Sequence, residues 1–153
     1  MTTLNGQIIG QAHYATRTLL ERELAGLGIT FHQSIALNAV AAEGGAVARA
    51  YLVRRITSTL KIDESAVLAV VGDLTNAGLL GMPPTDASGL ALTDAGRAVQ
   101  RRVAEAVTAI TTRLYGDIPA DDLTVAGRVL TLVRQRADAE LALAAGGAPP
   151  TAV

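Results

Sequence analysis

Two helices joined by a short break are predicted in residues 56–80, ITSTLKIDESAVLAVVGDLTNAGLL. Apolar residues recur at helical spacing on both sides of the interruption Lys61-Ile62-Asp63. Asp63 is a residue type that caps helix N-termini, and Gly78 is the type that ends a helix. Two helices with so short a connection are the sequence form of a helix-turn-helix, and this feature decides the fold.

Further helices are predicted before this stretch. The first covers about residues 4–27, and the second begins at Thr30, which can form a capping box with Gln33. The first helix of the helix-turn-helix is expected to start near Val47 and to end at Leu60. Its apolar side chains are expected to face inward, and they are Tyr51, Leu52, Val53, Ile56 and Leu60.

A small hairpin and two long helices are predicted after it. Two apolar patches, 79–82 and 90–92, flank a loop rich in Pro and Gly, which predicts two short strands. Thr93 then caps a helix over about residues 94–115, and the last helix covers about 119–145. Alanine and leucine are abundant and aromatic residues make up only 3%, so the fold class is mainly α.

The composition limits the possible classes of protein. The chain has 153 residues, of which 50% are hydrophobic, and a formal net charge of −1. These values indicate one domain with an ample core, over about residues 1–145, and exclude a disordered or strongly basic chain. Without cysteine there is no disulfide or zinc knuckle. We expect a cytoplasmic protein without membrane contact, with a disordered tail over residues 146–153.

Three segments of the chain resemble the MarR family of winged helix-turn-helix regulators. They are Leu60-Lys61-Ile62, Ala77-Gly78-Leu79-Leu80 and Leu92-Thr93-Asp94-Ala95-Gly96-Arg97, and the resemblance extends over about residues 4–143. It implies a mainly α fold with a small two-strand wing. It also implies a DNA-binding head over about 30–92 and dimerisation helices over about 4–27 and 94–145.

The same resemblance implies the partners. Proteins of this family are homodimers that bind double-stranded operator DNA, usually as repressors, and a small aromatic or anionic effector relieves repression. The residues independently favour a homodimer, because the last predicted helix has more apolar positions than one buried face requires. These positions are Leu123, Val129, Leu130, Leu132, Val133, Leu141 and Leu143.

Candidate DNA contacts lie on the two helices of the helix-turn-helix. Polar and basic side chains that could bind phosphates are Arg54, Arg55, Thr57, Ser58 and Lys61, and those that could touch bases are Ser65 and Leu68. However, residues 62–96 contain five acidic residues and neither lysine nor arginine. Two alternatives therefore stay open: a solvated arginine face with ordinary salt bridges, and a MarR-like module that has lost DNA binding.

Candidate effector contacts lie on the first two helices, which border the ligand pocket in the family that the chain resembles. They are His13, Tyr14, Arg17, Phe31, His32 and Asn38. Arg17 could bind the carboxylate of a small aromatic acid, with His13 or His32 donating a hydrogen bond. Alternatively, each histidine is an exposed or structurally hydrogen-bonded side chain.

Sequence motifs of enzymes are missing. The chain has no H-E-x-x-H, G-x-S-x-G, P-loop or G-x-G-x-x-G pattern. The carboxylate pairs Asp63-Glu64 and Asp121-Asp122 stand at predicted helix starts, where the helix dipole accounts for them. We therefore predict a protein that is not an enzyme and needs no cofactor or metal. A cofactor-free enzyme that uses His13 or His32 as a base remains an alternative.

Overall fold

Six helices and three short strands follow one another in the computed structural model, which describes residues 1–146. They are α1 (Gly6–Gly26), α2 (Phe31–Ala42), β1 (Ala46–Ala48), α3 (Arg49–Leu60), α4 (Glu64–Asn76), β2 (Leu80–Gly81), β3 (Gly89–Leu92), α5 (Asp94–Tyr115) and α6 (Ala120–Gly146). The mainly α fold and all six predicted helices are confirmed. Of the predicted tail, Gly146 ends α6, and residues 147–153 lie outside the described residues.

The chain divides into two compact units, Met1–Arg113 and a second that begins at Leu114. The core of the first unit receives fully buried side chains from each of its five helices and from the sheet. They include Leu24, Leu37, Leu52, Val67, Leu74, Leu90 and Val103. In the second unit, α6 has no buried residue along its whole length.

Local capping interactions set the starts of two helices as predicted. Gln33 donates its backbone N–H to Thr30 Oγ1 at 3.2 Å, and the Gln33 side chain accepts from the Thr30 N–H at 2.9 Å. Thr93 Oγ1 accepts from the Gly96 N–H at 2.9 Å at the start of α5. The expected side-chain cap at Asp63 is wrong, because this exposed carboxylate makes no capping hydrogen bond and only its charge favours the N-terminus of α4.

The wing has three strands, so the predicted two-strand hairpin is incomplete. The sheet order is β1-β3-β2 and both pairings are antiparallel, with Ala46 opposite Ala91 and Leu80 opposite Leu92. The predicted helix start near Val47 is wrong, because Val47 pairs with Leu90 in this sheet. A strand of three residues has no detectable alternation, and it is ordered here by the edge of β3, far away in sequence.

A left-handed residue makes the turn between α3 and α4. Lys61 has φ 55° and ψ 43°, a conformation in which non-glycine residues are uncommon, and its N–H bonds to the Thr57 carbonyl at 3.0 Å. Val67, Val71 and Leu74 then hold the inner face of α4 in the core. The predicted helix-turn-helix is thereby confirmed, with the opposite face of α4 exposed.

Within residues 1–146, no single helix is long and apolar enough to cross a membrane; α1 and α2 reach that length and composition only together, with a bend of 84° at their break.

Candidate functional site

The exposed face of α4 contains several small residues and no lysine or arginine. Ser65 and Leu68 both point to solvent, as a base-reading role requires, and Leu68 is 41% exposed. The exposed residues Ala66, Ala69 and Gly72 of this helix are small, whereas the exposed Glu64 and Asp73 are acidic. The small residues permit close approach of a partner, but they offer no side-chain hydrogen bond, unlike Ser65.

Two arginines of α3 stand beside this face. Arg49 and Arg54 are exposed, and together with Val53, Glu64 and Leu68 they line a groove of about 290 Å³ between the two helices. Guanidinium groups in such a place can bind phosphate oxygens in a bidentate manner. The structure thus brings Arg54 and Leu68, both predicted contacts, to one groove. It adds Arg49, which was not among the predicted contacts.

The neighbouring Arg55 is already engaged in an ion pair. Its Nη1 donates to Glu43 Oε1 at 2.9 Å, and the Tyr51 hydroxyl donates to the same oxygen at 3.1 Å. For Arg55 the alternative of an ordinary salt bridge therefore describes the free protein. The expectation that Tyr51 faces the core is wrong, because the ring is 40% exposed and its hydroxyl bonds to Glu43 at the surface.

The other predicted DNA contacts at the end of α3 differ in how far solvent, and therefore a phosphate group, can reach them. The Thr57 hydroxyl oxygen is buried and has no hydrogen-bond partner, so it is not presented to solvent. Ser58 is exposed, and its backbone carbonyl accepts from Lys61 Nζ at 2.6 Å. The helix end therefore offers the Ser58 side chain and the exposed Lys61 in one place.

The wing loop is organised around an acidic residue. Asp86 Oδ1 accepts from the Ser88 hydroxyl at 2.6 Å and from the Ser88 N–H at 2.9 Å. These two hydrogen bonds stabilise the carboxylate and lower the pKa of Asp86 below its ordinary value. The Ser88 carbonyl in turn accepts from the Arg49 N–H at 3.3 Å, so the loop is joined to the start of α3.

Two of the predicted effector residues, Arg17 of α1 and Phe31 of α2, are in contact with each other. Arg17 Cζ lies 4.3 Å from the centre of the Phe31 ring, and Arg17 Nε donates to Glu21 at 2.8 Å. His13 and Tyr14 precede Arg17 by four and three residues, so helical geometry places all three on one side of α1. Both His13 and Tyr14 are exposed, with ring centroids 5.4 Å apart.

A second cluster lies two turns further along α2. Asn38 Oδ1 accepts from Gln100 Nε2 of α5 at 3.3 Å, beside an open groove of about 610 Å³ that Ala104, Val107 and Thr108 also line. Phe31 and Asn38 are seven residues apart, which corresponds to about 10 Å along the helix axis. His32 is half-buried, with its ring centroid 6.1 Å from that of Phe31. The structure therefore separates Asn38 from the Arg17 cluster and adds Gln100, which no motif indicates.

Within residues 1–146, no group of three or more His, Cys, Asp or Glu side chains is placed to hold a metal ion.

Solved structures of transcriptional regulators share this arrangement of elements. CouR from Rhodococcus jostii RHA1, bound to p-coumaroyl-CoA, matches with a TM-score of 0.72 at 19% identity, over 84% of this chain and 90% of CouR. A mutant MarR from E. coli in complex with operator DNA matches with a TM-score of 0.67 at 20% identity, over 84% and 91% of the two chains. An organohalide-sensing transcriptional regulator in its 2,4-dichlorophenol-bound form matches with a TM-score of 0.71 at 15% identity, over 89% of this chain and 83% of the regulator.

No family model and no curated protein matches the chain by sequence. Other matching structures are described as MarR-family transcriptional regulators, from Rhodococcus sp. RHA1 and Streptomyces coelicolor. The chain therefore has the MarR winged-helix fold, and the resemblance read in its sequence is confirmed at the level of the fold.

Proposed function

We propose that this protein is a cytoplasmic, homodimeric transcriptional regulator, a repressor that a small aromatic or anionic ligand releases from operator DNA. One observation carries the proposal: a MarR-type helix-turn-helix in which the exposed face of α4 adjoins the arginine-lined groove of α3. A protein of the same fold, the E. coli MarR variant, is bound to operator DNA. The proposed activity is regulatory rather than enzymatic.

The DNA contact relies mainly on phosphates. Arg54 and Arg49 bind the backbone from the groove, and Ser58 and Lys61 extend this contact to the end of α3. Ser65 and Leu68 face the bases, Leu68 through thymine methyl groups. The acidic residues of α4 and the wing oppose this contact, so we expect modest affinity with a strong dependence on salt.

The ligand site is proposed along one side of α2. Arg17, held over Phe31 and by Glu21, presents its remaining guanidinium nitrogens to an anionic group. Two turns away, the groove at Asn38 and Gln100 is large enough for an aromatic ring. Regulators with this fold are bound to p-coumaroyl-CoA and to 2,4-dichlorophenol, which supports an aromatic ligand here.

The homodimer is supported by the surface of α6. Val129 neighbours Leu132 and Val133 on this helix, and Leu130 neighbours Val133, because these residues are three or four positions apart. Each of the four is at least 36% exposed. Apolar side chains in such density are unfavourable in water, and a second copy of the helix would cover them.

A binding assay with the DNA upstream of the protein's own gene tests the proposal. Fluorescence anisotropy at low and moderate salt, with competitor DNA, should show specific binding that Arg54→Ala weakens. The variant should also reduce, by about one, the steepness with which the logarithm of the binding constant falls with the logarithm of the salt concentration. Arg113→Ala removes a cation at the end of α5 and serves as the matched control, with unchanged affinity expected. No binding by the wild type at low salt would reject the DNA-binding function.

A second candidate function is favoured by one observation. Residues 62–96, which include α4 and the wing loop, carry five acids and no base. A protein of this fold that binds a ligand but not DNA would have this charge distribution. The two functions differ in one measurement: benzoate, as an aromatic carboxylate probe, would shift the NMR signals around Arg17 in both, but DNA would be bound in the first alone.

A further inference from the structure

Glu43 ends α2 and joins it to α3 through two hydrogen bonds to a single carboxylate oxygen. The donors, Tyr51 and Arg55, are four residues apart and therefore stand on the same side of α3. Glu43 itself is the C-cap residue of α2, outside the helix-turn-helix. Glu43, at the end of α2, thus holds the side chain of Arg55 on α3 in place.

Arg54 and Arg55 are adjacent in sequence, yet they have different environments. Arg54 is exposed at the groove between α3 and α4. Arg55 points to Glu43, and the side chains of this pair are 39% and 40% exposed. A pair so accessible to water is held weakly, because solvent screens its attraction. Phosphate oxygens can therefore replace the carboxylate as the partner of Arg55.

We propose that Glu43 restrains Arg55 and lowers the affinity of the head for DNA, as an autoinhibitory contact that a phosphate must displace. This inference rests on the proposed DNA-binding function. In the free protein, the Glu43 carboxylate neutralises one positive charge of α3. When DNA binds, Arg55 leaves Glu43 and pairs with a phosphate. Because the ion pair with Glu43 must be broken first, the free energy gained from the phosphate contact is smaller.

The test is a double-mutant cycle on a fluorescein-labelled duplex of mixed sequence, measured by anisotropy as a function of KCl concentration. Glu43→Gln removes the charge and keeps the size of the side chain. It should tighten binding about two- to fivefold, which corresponds to the loss of an exposed ion pair, and should make the salt dependence steeper. In the Arg55→Ala background the same substitution should have no effect.

Two control variants separate this contact from general electrostatics. Asp73→Asn removes an acidic charge of α4 and should tighten binding equally with and without Arg55. Tyr51→Phe removes the second hydrogen bond to Glu43 but keeps the ion pair, so its salt dependence should equal that of the wild type.

Each result of the cycle supports or overturns the inference. A gain from Glu43→Gln that requires Arg55 supports it. An equal gain in the Arg55→Ala background, or no gain although the wild type binds DNA, overturns the autoinhibitory contact and leaves the proposed function intact. Absence of binding by the wild type and by Glu43→Gln alike overturns both.

Discussion

The carbonyl oxygen of Leu79 occupies the place that a β-carbon at Gly96 would take. Such a carbon would overlap this oxygen and would lie 3.0 Å from the Leu79 carbonyl carbon. Two hydrogen bonds hold this approach: the Thr93 N–H donates to Leu79 O at 3.2 Å, and Thr93 Oγ1 donates to Gly78 O at 2.6 Å. The first turn of α5 is thereby fixed against the chain that leads from α4 into the wing.

We expect Gly96→Ala to destabilise the protein, although alanine favours helix. The added methyl must displace backbone rather than a flexible side chain, so a loss of about 1–3 kcal/mol or more is expected in urea denaturation. Gly72→Ala in α4 is the matched control, because nothing lies within 4 Å of its β-carbon. That substitution should stabilise by about 0.5–1 kcal/mol. Equal effects of the two substitutions would contradict the close contact.

Thr57→Val should stabilise the protein. The Thr57 hydroxyl oxygen is buried without a hydrogen-bond partner, and valine has the same shape without the cost of burying a polar group. A gain of about 1 kcal/mol is expected in the free energy of unfolding. Thr57→Ser, which keeps the hydroxyl and removes the methyl, should destabilise instead. A loss of stability in Thr57→Val would show that the hydroxyl has a partner.

The Asp86 carboxylate should titrate below the pH at which it titrates in the unfolded chain. Folding lowers its pKa through the hydrogen bonds from Ser88, so its stabilising contribution is present above the unfolded pKa. This contribution is lost as the pH falls through the folded value. An NMR titration of the Ser88 amide in the folded and the urea-unfolded protein measures both values. Asp86→Asn should abolish the Ser88 titration, and equal midpoints in the two states would refute the prediction.

The features that sequence alone predicts are those that depend on near neighbours. Thr30 and Gln33 are three residues apart, as are Thr93 and Gly96, so local chemistry determines both helix starts. In contrast, β1 exists only because β3 supplies a partner for it far along the chain: Val47 pairs with Leu90, 43 residues later, and gives no strand pattern by itself. Pairing across such distances depends on the whole fold rather than on local preference.

Sequence alone also predicts only part of the candidate site. Arg54 and Leu68 could be predicted as DNA contacts from their residue types and their places in the helix-turn-helix, but the partner of Arg55 could not be predicted. Glu43 lies twelve residues before Arg55, at the C-cap of α2, and only the packing of α2 against α3 brings them together. The link between Asn38 and Gln100 spans 62 residues and follows from the docking of α5. Long side chains at helix surfaces have many possible partners, and tertiary packing selects one.

The exposed apolar surface of α6 is the proposed interface of the homodimer. Leu130 is 41% exposed and lies on the same side of the helix as Val133, three residues later. If a second copy covers this surface, Leu130→Glu places a charge in an apolar interface and should convert the dimer to monomer in light-scattering measurements. Thr131→Glu is the matched control, since it adds the same charge at an exposed polar neighbour. A wild-type chain that is monomeric at micromolar concentration would exclude the homodimer, whereas a dimer that survives Leu130→Glu would place the interface elsewhere.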